Sequence, residues 1–273
     1  MKPAPFTHDR PDTAAAVASA LAGDGAKIIA GGQSLGPMMN LRLARPTHLV
    51  GLTALPDMAE ITETGGAIQI GAGVTHARIE DGDSPVALPP MLRHVARGIA
   101  YRAVRNKGTI GGSLAHADPA ADWVTTLTAL DATLHLRGGE SARKVPMHDF
   151  MQGAYRTALA PQEMIQTVAV RTSMREALWG YDKICRKVGE FADAMAALVL
   201  VPGEGYARLV VGATGGRPVL LPELAAQIAR TARHPGPDAL RAALADHLPE
   251  ADRVKLHLLT TALDRAIAKV IPA

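Results

Sequence analysis

At 273 residues, 48% of them hydrophobic and with a formal net charge of +3, the chain can bury a core and divide into two or three compact units, which excludes a short interaction peptide. Its Lys and Arg are scattered among acidic residues and form no block of the kind that tracks a phosphate backbone, so nucleic acid is not an expected partner. The longest apolar run, residues 194–202, falls far short of the roughly 20 residues that cross a hydrocarbon core, and residues 1–10 lack the apolar stretch of a signal peptide. No membrane span and a cytoplasmic location are therefore expected. Aromatic residues make up only 3% of the chain, which leaves the core to Ala, Val, Leu, Ile and Met. Cys185 is the single cysteine. It can form no internal disulfide, and an iron–sulfur cluster would have to lie on another chain.

In chain order, Thr13 to Leu21 is Ala-rich after Pro11 and Asp12, as in a short capped helix ending near Gly23 and Gly25. Lys27 to Ala30 reads as a buried strand, Gly31 and Gly32 as a turn, and Leu35 to Leu43 as a short apolar helix. His48 to Leu52 suggests another strand. Ile61 to Val74 alternates and is punctuated by Gly65, Gly66, Gly71 and Gly73 in the manner of a hairpin. Pro89 and Pro90 open a helix in which Leu92, Val95 and Ile99 share one face, expected to pack on the hairpin's sheet. A second glycine turn covers Gly108 to Ser113. An apolar helix or strand then runs through Leu130, followed by a strand at Ala132 to Leu136. Beyond Trp179, Ala194 to Val201 and Ala207 to Val211 suggest paired strands, and Pro222 to Arg233 and Pro237 to Val270 read as helical.

The chemistry lies in two glycine motifs about 80 residues apart, Ala30-Gly31-Gly32-Gln33-Ser34-Leu35 and Thr109-Ile110-Gly111-Gly112-Ser113-Leu114. Each puts paired glycines beside a hydroxyl. Successive N–H groups in such turns converge on an anion, and a missing Cβ admits phosphate oxygens, so two facing turns can clamp a diphosphate. Alone, either motif reads first as a plain tight turn. Neither matches the G-x-G-x-x-G fingerprint or the G-x-x-x-x-G-K-[ST] loop, which argues against a Rossmann site and a P-loop.

These residues resemble the FAD-binding medium subunit of the xanthine dehydrogenase and carbon monoxide dehydrogenase family of molybdenum hydroxylases. The similarity takes in Pro37-Met38-Met39, Leu41-Arg42-Leu43, Val104-Arg105-Asn106, Ala115-His116-Ala117-Asp118-Pro119-Ala120-Ala121-Asp122, Tyr181-Asp182-Lys183 and Glu190-Phe191-Ala192, and so spans nearly the whole chain. It implies an α+β fold of the PCMH type: an N-terminal α/β unit at 1–57, a central mixed or antiparallel α+β unit at 58–174, and a small C-terminal α+β domain at 175–273. FAD would lie between the first two units, partly covered by the third.

The resemblance also implies roles. Ala30, Gly31, Gly32, Gln33, Ser34 and Leu35 would surround the diphosphate from one side and Thr109, Gly111, Gly112 and Ser113 from the other, chiefly through main-chain N–H groups. Ala100, Ala115 and Ile165 would also touch the cofactor, Ile165 through its backbone. Asp122 would accept hydrogen bonds from FAD hydroxyls, although a carboxylate favoured by a helix N-terminus reads the same way. Phe191 would face the isoalloxazine, or else be a core residue. Lys183 would stand near the flavin, or else be solvated. His116 and Asp118 read as structural or as lining the flavin, because a flavin relay needs no protein nucleophile. Neither a catalytic residue nor a metal ligand is expected. Some relatives insert a loop with cysteines for an extra cluster, and this chain lacks those cysteines.

By the same resemblance, a large molybdenum-cofactor subunit oxidises the substrate and a small subunit with [2Fe-2S] clusters relays electrons to FAD on this chain, which passes them to an external acceptor. Two rivals stay open: a free-standing PCMH-type flavin oxidoreductase, and a flavin-free scaffold subunit.

Overall fold

The computed structural model describes residues 2–271. In the first unit, β1 (Thr7–Asp9), α1 (Ala14–Leu21), β2 (Ala26–Ile29), α2 (Leu35–Asn40) and β3 (His48–Gly51) build a parallel sheet in the order β1-β3-β2. Thr13 caps α1, its hydroxyl accepting from the Ala16 N–H at 3.2 Å. The strand expected at 27–30 begins and ends one residue earlier. As an edge strand it leaves Lys27 exposed and its other residues half-buried, so it is not the buried strand its apolar run suggested.

The central unit opens with β4 (Ile61–Thr64) and β5 (Ala67–Gly71), the expected hairpin. Gly65 and Gly66 take φ of 58° and 75°, the left-handed pair that a two-residue turn needs to match the twist of its strands. Then come α3 (His76–Asp81), α4 (Pro90–Arg97), α5 (Arg102–Arg105), α6 (Ile110–His116) and α7 (Asp122–Ala129). β6 (Thr133–Gly138), β7 (Ser141–Pro146), α8 (Met147–Phe150), β8 (Met151–Gly153), β9 (Arg156–Thr157) and β10 (Met164–Arg171) complete the unit. Its antiparallel sheet runs β4-β5-β10-β6-β7, so β10 returns to wedge between the hairpin and β6. In α4, Leu92 and Val95 are buried as expected. The helix stops before Ile99, however, and packs chiefly on α3 and α7, not on the hairpin's sheet. The helix-or-strand segment through Leu130 is the helix α7, buried at every position.

β11 (Leu178–Ile184), β12 (Ala194–Val201), β13 (Tyr206–Gly212) and β14 (Val219–Leu220) form the third sheet in that order, followed by α9 (Pro222–Thr231), α10 (Pro237–His247) and α11 (Arg253–Ala268). The helical stretch expected over 237–270 is two helices. Pro249 cannot sustain the first, and the Asp252 carboxylate restarts the second by accepting from the Lys255 N–H at 2.7 Å. β12 is buried along its whole length. Its alternate side chains serve two cores: Ala197, Val199 and Val201 face α7 and the central sheet, while Ala196, Leu198 and Leu200 face the last three helices. The first of these cores also holds Val17 and Val50, so it runs unbroken from the N-terminal unit to the third sheet. Among the described residues no helix is long and apolar enough to cross a membrane.

Candidate cofactor site

The two glycine motifs touch. An added Cβ at Gly31 would lie 1.9 Å from the Lys107 carbonyl oxygen and 2.9 Å from the Gly108 Cα, and one at Gly112 would lie 3.3 Å from the Ala30 Cβ. At Gly31 the missing side chain therefore serves the closeness of two backbones more than the approach of a ligand. Gly32 differs. Its φ is +69° and an added Cβ would meet only Ile29, at 3.6 Å. Here glycine is needed for the bend itself and leaves the space beside it open.

The motifs also differ in what they can donate. In the first, the N–H groups of Gly32, Gln33 and Ser34 find no acceptor among the described residues. Gln33 folds back, its Nε2 donating to the Gly31 carbonyl at 2.9 Å, and the Ser34 hydroxyl makes no capping bond to α2. The result is a run of consecutive unclaimed donors on a partly exposed bend. In the second motif, Ile110 N–H donates to the Val74 carbonyl at 3.0 Å, Gly111 to the Ala72 carbonyl at 2.9 Å, and Ser113 to the Thr109 carbonyl at 3.0 Å. Gly112 N–H donates to Thr109 Oγ1 at 3.0 Å. This corrects the expectation for Gly111, Gly112 and Ser113, whose main-chain N–H groups are already bonded within the protein. The expected turn at 108–113 is mostly the helix α6, capped by Thr109, and the amides of Ile110 to Ser113 are spent on the protein. Gly111 is a packing glycine, since a Cβ there would lie 2.4 Å from the Ala72 Cβ. What the segment still offers is the Thr109 N–H, which finds no acceptor among the described residues, and the hydroxyl hydrogens of Thr109 and Ser113.

Asp122, the first residue of α7, is buried. Tyr181 donates to its Oδ1 at 2.7 Å, and the Lys183 ammonium to its Oδ2 at 3.0 Å. Lys183 is thus not solvated: its side chain is 10% exposed and paired. Burial pushes the Asp122 carboxyl above its ordinary pKa, against the opposing pull of the Lys183 cation and the two hydrogen bonds. Tyr181 was missed as a site residue although the sequence carried the signal, because Tyr181 and Lys183 are two apart on one strand and so share a face.

Ala100 takes φ +42° just before α5. Ala115 is exposed, and half-buried His116 sets its ring 5.2 Å from that of Tyr155, centroid to centroid. Asp118 accepts from the Ala120 N–H at 2.9 Å and from the Tyr155 hydroxyl at 3.5 Å, so His116 and Asp118 form no acid–base pair. Ile165 is buried beside a bulge in β10, where the next carbonyl, Gln166, accepts from the Ala72 N–H at 2.9 Å. Phe191 is 66% exposed, which removes the core reading.

His76 supports the second motif and no sequence signal marked it. Its N–H donates to the Gly108 carbonyl at 2.9 Å, and its ring Nδ1 accepts from the Trp123 indole at 3.1 Å. Burial, helped by the Arg105 cation, lowers its pKa to about 4. Between the ordinary 6.5 and that value the unfolded chain binds a proton that the folded chain refuses, so stability falls as pH falls through this window. Urea unfolding should show His76 contributing a loss of about 2 kcal/mol from pH 7 to 5. His76→Asn, which keeps an acceptor for Trp123, should remove that part of the slope. An unchanged slope would refute the assignment.

Fold and comparisons together define an FAD-binding α+β protein: residues 5–171 match the family model described as "FAD binding domain in molybdopterin dehydrogenase". The chain belongs to this family, whose members are components of oxidoreductases. The carbon monoxide dehydrogenase medium chain of Afipia carboxidovorans is 37% identical over 207 residues, covering 75% of this chain and 72% of that one. The nicotine 6-hydroxylase medium subunit of Paenarthrobacter nicotinovorans is 36% identical over 200 residues, covering 72% and 70%. Among solved structures, reconstituted CO dehydrogenase from Oligotropha carboxidovorans superposes with a TM-score of 0.90 at 32% identity, covering 99% of each chain. Quinoline 2-oxidoreductase from Pseudomonas putida 86 gives 0.84 at 32% identity, covering 99% of this chain and 98% of that one.

Proposed function

We propose that this chain is the FAD-binding electron-transfer subunit of a heteromeric molybdenum hydroxylase. It works in the cytoplasm beside a large molybdenum-cofactor subunit and a small [2Fe-2S] subunit and delivers electrons to an external acceptor. The observation that carries this reading is the contact of Gly31 with Lys107 and Gly108 beside the unclaimed N–H groups of Gly32, Gln33 and Ser34. Consecutive unclaimed amide donors with open space next to Gly32 suit a diphosphate. Bound FAD exchanges one electron at a time with clusters and two with an acceptor, and the protein contributes distance, orientation and electrostatics.

In this reading the amides of Gly32 to Ser34 hold the diphosphate from one side. The Thr109 and Ser113 hydroxyls meet it from the other, with Ala30, Gly31, Leu35, Gly111 and Gly112 shaping the wall. Asp122, with acceptor capacity left beyond Tyr181 and Lys183, orients cofactor hydroxyls, and Lys183 adds a fixed cation near the ring. Ala100, Ala115, His116 and Ile165 close the edges, and Phe191 lies against the isoalloxazine. The units 1–57 and 58–174 provide the cleft, and 175–273 covers it.

Isolation of the tagged chain from its own cells tests this reading. The expected product carries about one FAD per chain by absorbance and brings two further chains containing molybdenum and [2Fe-2S] clusters. A chain that turns over a small molecule unaided would instead be the free-standing oxidoreductase, and a colourless chain that fails reconstitution would be the scaffold.

A further inference from the structure

The loop that carries Phe191 docks on a corner held by an ion pair. Glu80 in α3 and Arg105 at the end of α5 have side chains 12% and 11% exposed. Arg105 Nε donates to Glu80 Oε2 at 2.7 Å and Nη2 to Oε1 at 3.2 Å, a two-pronged contact that fixes the plane of the guanidinium. Its remaining prong, Nη1, donates to two successive carbonyls, Ile99 at 2.9 Å and Ala100 at 2.8 Å. Two neighbouring carbonyls gathered onto one nitrogen require an unusual bend, and Ala100 supplies it at φ +42°.

That corner receives the loop between β11 and β12. Ile99 and Gly189 form a parallel bridge. Gly189 takes φ +92°, and a Cβ there would lie 2.7 Å from the Ala100 carbonyl oxygen. The same carbonyl is therefore held by Arg105 and packed by Gly189. Lys187 sets its ammonium 5.8 Å from the centre of the Tyr101 ring. Phe191 follows two residues after Gly189 without a packed environment of its own, so its position is inherited from this contact.

We propose that Arg105, oriented by Glu80, is a positioning residue that fixes the stance of the 185–191 loop and, through it, the placement of Phe191 against the flavin; this last step rests on the function proposed above. Neither Arg105 nor Glu80 need touch the cofactor. Arg102 is the natural control. It binds Asp81 and Glu80 from a half-exposed position and bonds neither Ile99 nor Ala100.

The test compares Arg105→Lys, Gly189→Ala and Arg102→Lys in the full chain. In the FAD-free protein, trypsin cleavage after Arg186 and Lys187 should accelerate at least tenfold relative to other sites for Arg105→Lys and Gly189→Ala, and should not change for Arg102→Lys. In the FAD-loaded protein, the first two should shift the flavin's visible bands in the direction given by Phe191→Ala. Unchanged loop cleavage and bands in Arg105→Lys, whatever its melting temperature, would overturn the proposal, as would cleavage accelerated evenly along the chain. If the wild-type chain binds no FAD, the proposed function fails, while the cleavage comparison still decides whether Arg105 positions the loop.

Discussion

Gly31→Ala is expected to lower FAD affinity at least a hundredfold and to destabilise the chain by about 2–3 kcal/mol, in the range of a steric insertion into a packed contact. The added methyl would sit 1.9 Å from the Lys107 carbonyl oxygen. That oxygen belongs to backbone and cannot rotate aside, so the two loops must separate. Two neighbouring glycines give the comparison its force. Gly32→Ala has space, with only Ile29 at 3.6 Å, but keeps a φ of +69°. The strain of about 1–2 kcal/mol should reduce affinity by roughly tenfold. At Gly36, in α2, an added Cβ meets nothing within 4 Å, and Gly36→Ala should leave affinity unchanged and add up to about 1 kcal/mol of stability. Flavin titration and urea unfolding of the three variants check this order. Equal affinity for Gly31→Ala and wild type would mean that the contact between the loops has no part in binding.

Lys183→Met should destabilise by about 3–5 kcal/mol, because it strands a buried carboxylate. Asp122 would keep only Tyr181 as a side-chain partner. Its carboxyl already lies above the ordinary range through burial, held down by the Lys183 cation, and loss of that cation sends it higher. A carboxyl whose folded pKa is raised contributes stability that is present below the unfolded value and lost as pH climbs through the folded one. The penalty of Lys183→Met should therefore be smaller at pH 5 than at pH 7. Asp122→Asn combined with Lys183→Met should recover much of the loss, since it removes the stranded charge. A penalty independent of pH would show that Asp122 is not the group left unpaired.

Much of the fold could be read because local rules were obeyed. The Gly65-Gly66 pair marked the hairpin, and the unbroken apolar run at 194–201 marked β12 as a strand, whose burial on both faces the structure then added. Short elements escaped. The six residues of α3 and the four of α5 carry too little periodicity to register, yet they hold His76, Glu80 and Arg105. The division between α10 and α11 was signalled by Pro249 and Asp252 and lost within a longer helical texture. At the site, the chemistry of the glycine motifs allowed their pairing and the family resemblance implied it. Which of their amides remain free was not legible, because the acceptors for Ile110 and Gly111 are carbonyls of Val74 and Ala72, distant in sequence. Phe191 could not be separated from a core aromatic until its loop was seen to stand outside the third sheet.

Amide hydrogen exchange at Gly32, Gln33 and Ser34 tests the diphosphate grip most directly. FAD and ADP should both slow exchange at these three positions while riboflavin, which has no phosphate, leaves them fast. Gly111 and Gly112 should exchange slowly throughout, because their N–H groups are already bonded within the protein. FAD bound with Gly32 to Ser34 still exchanging at the free rate would contradict the account.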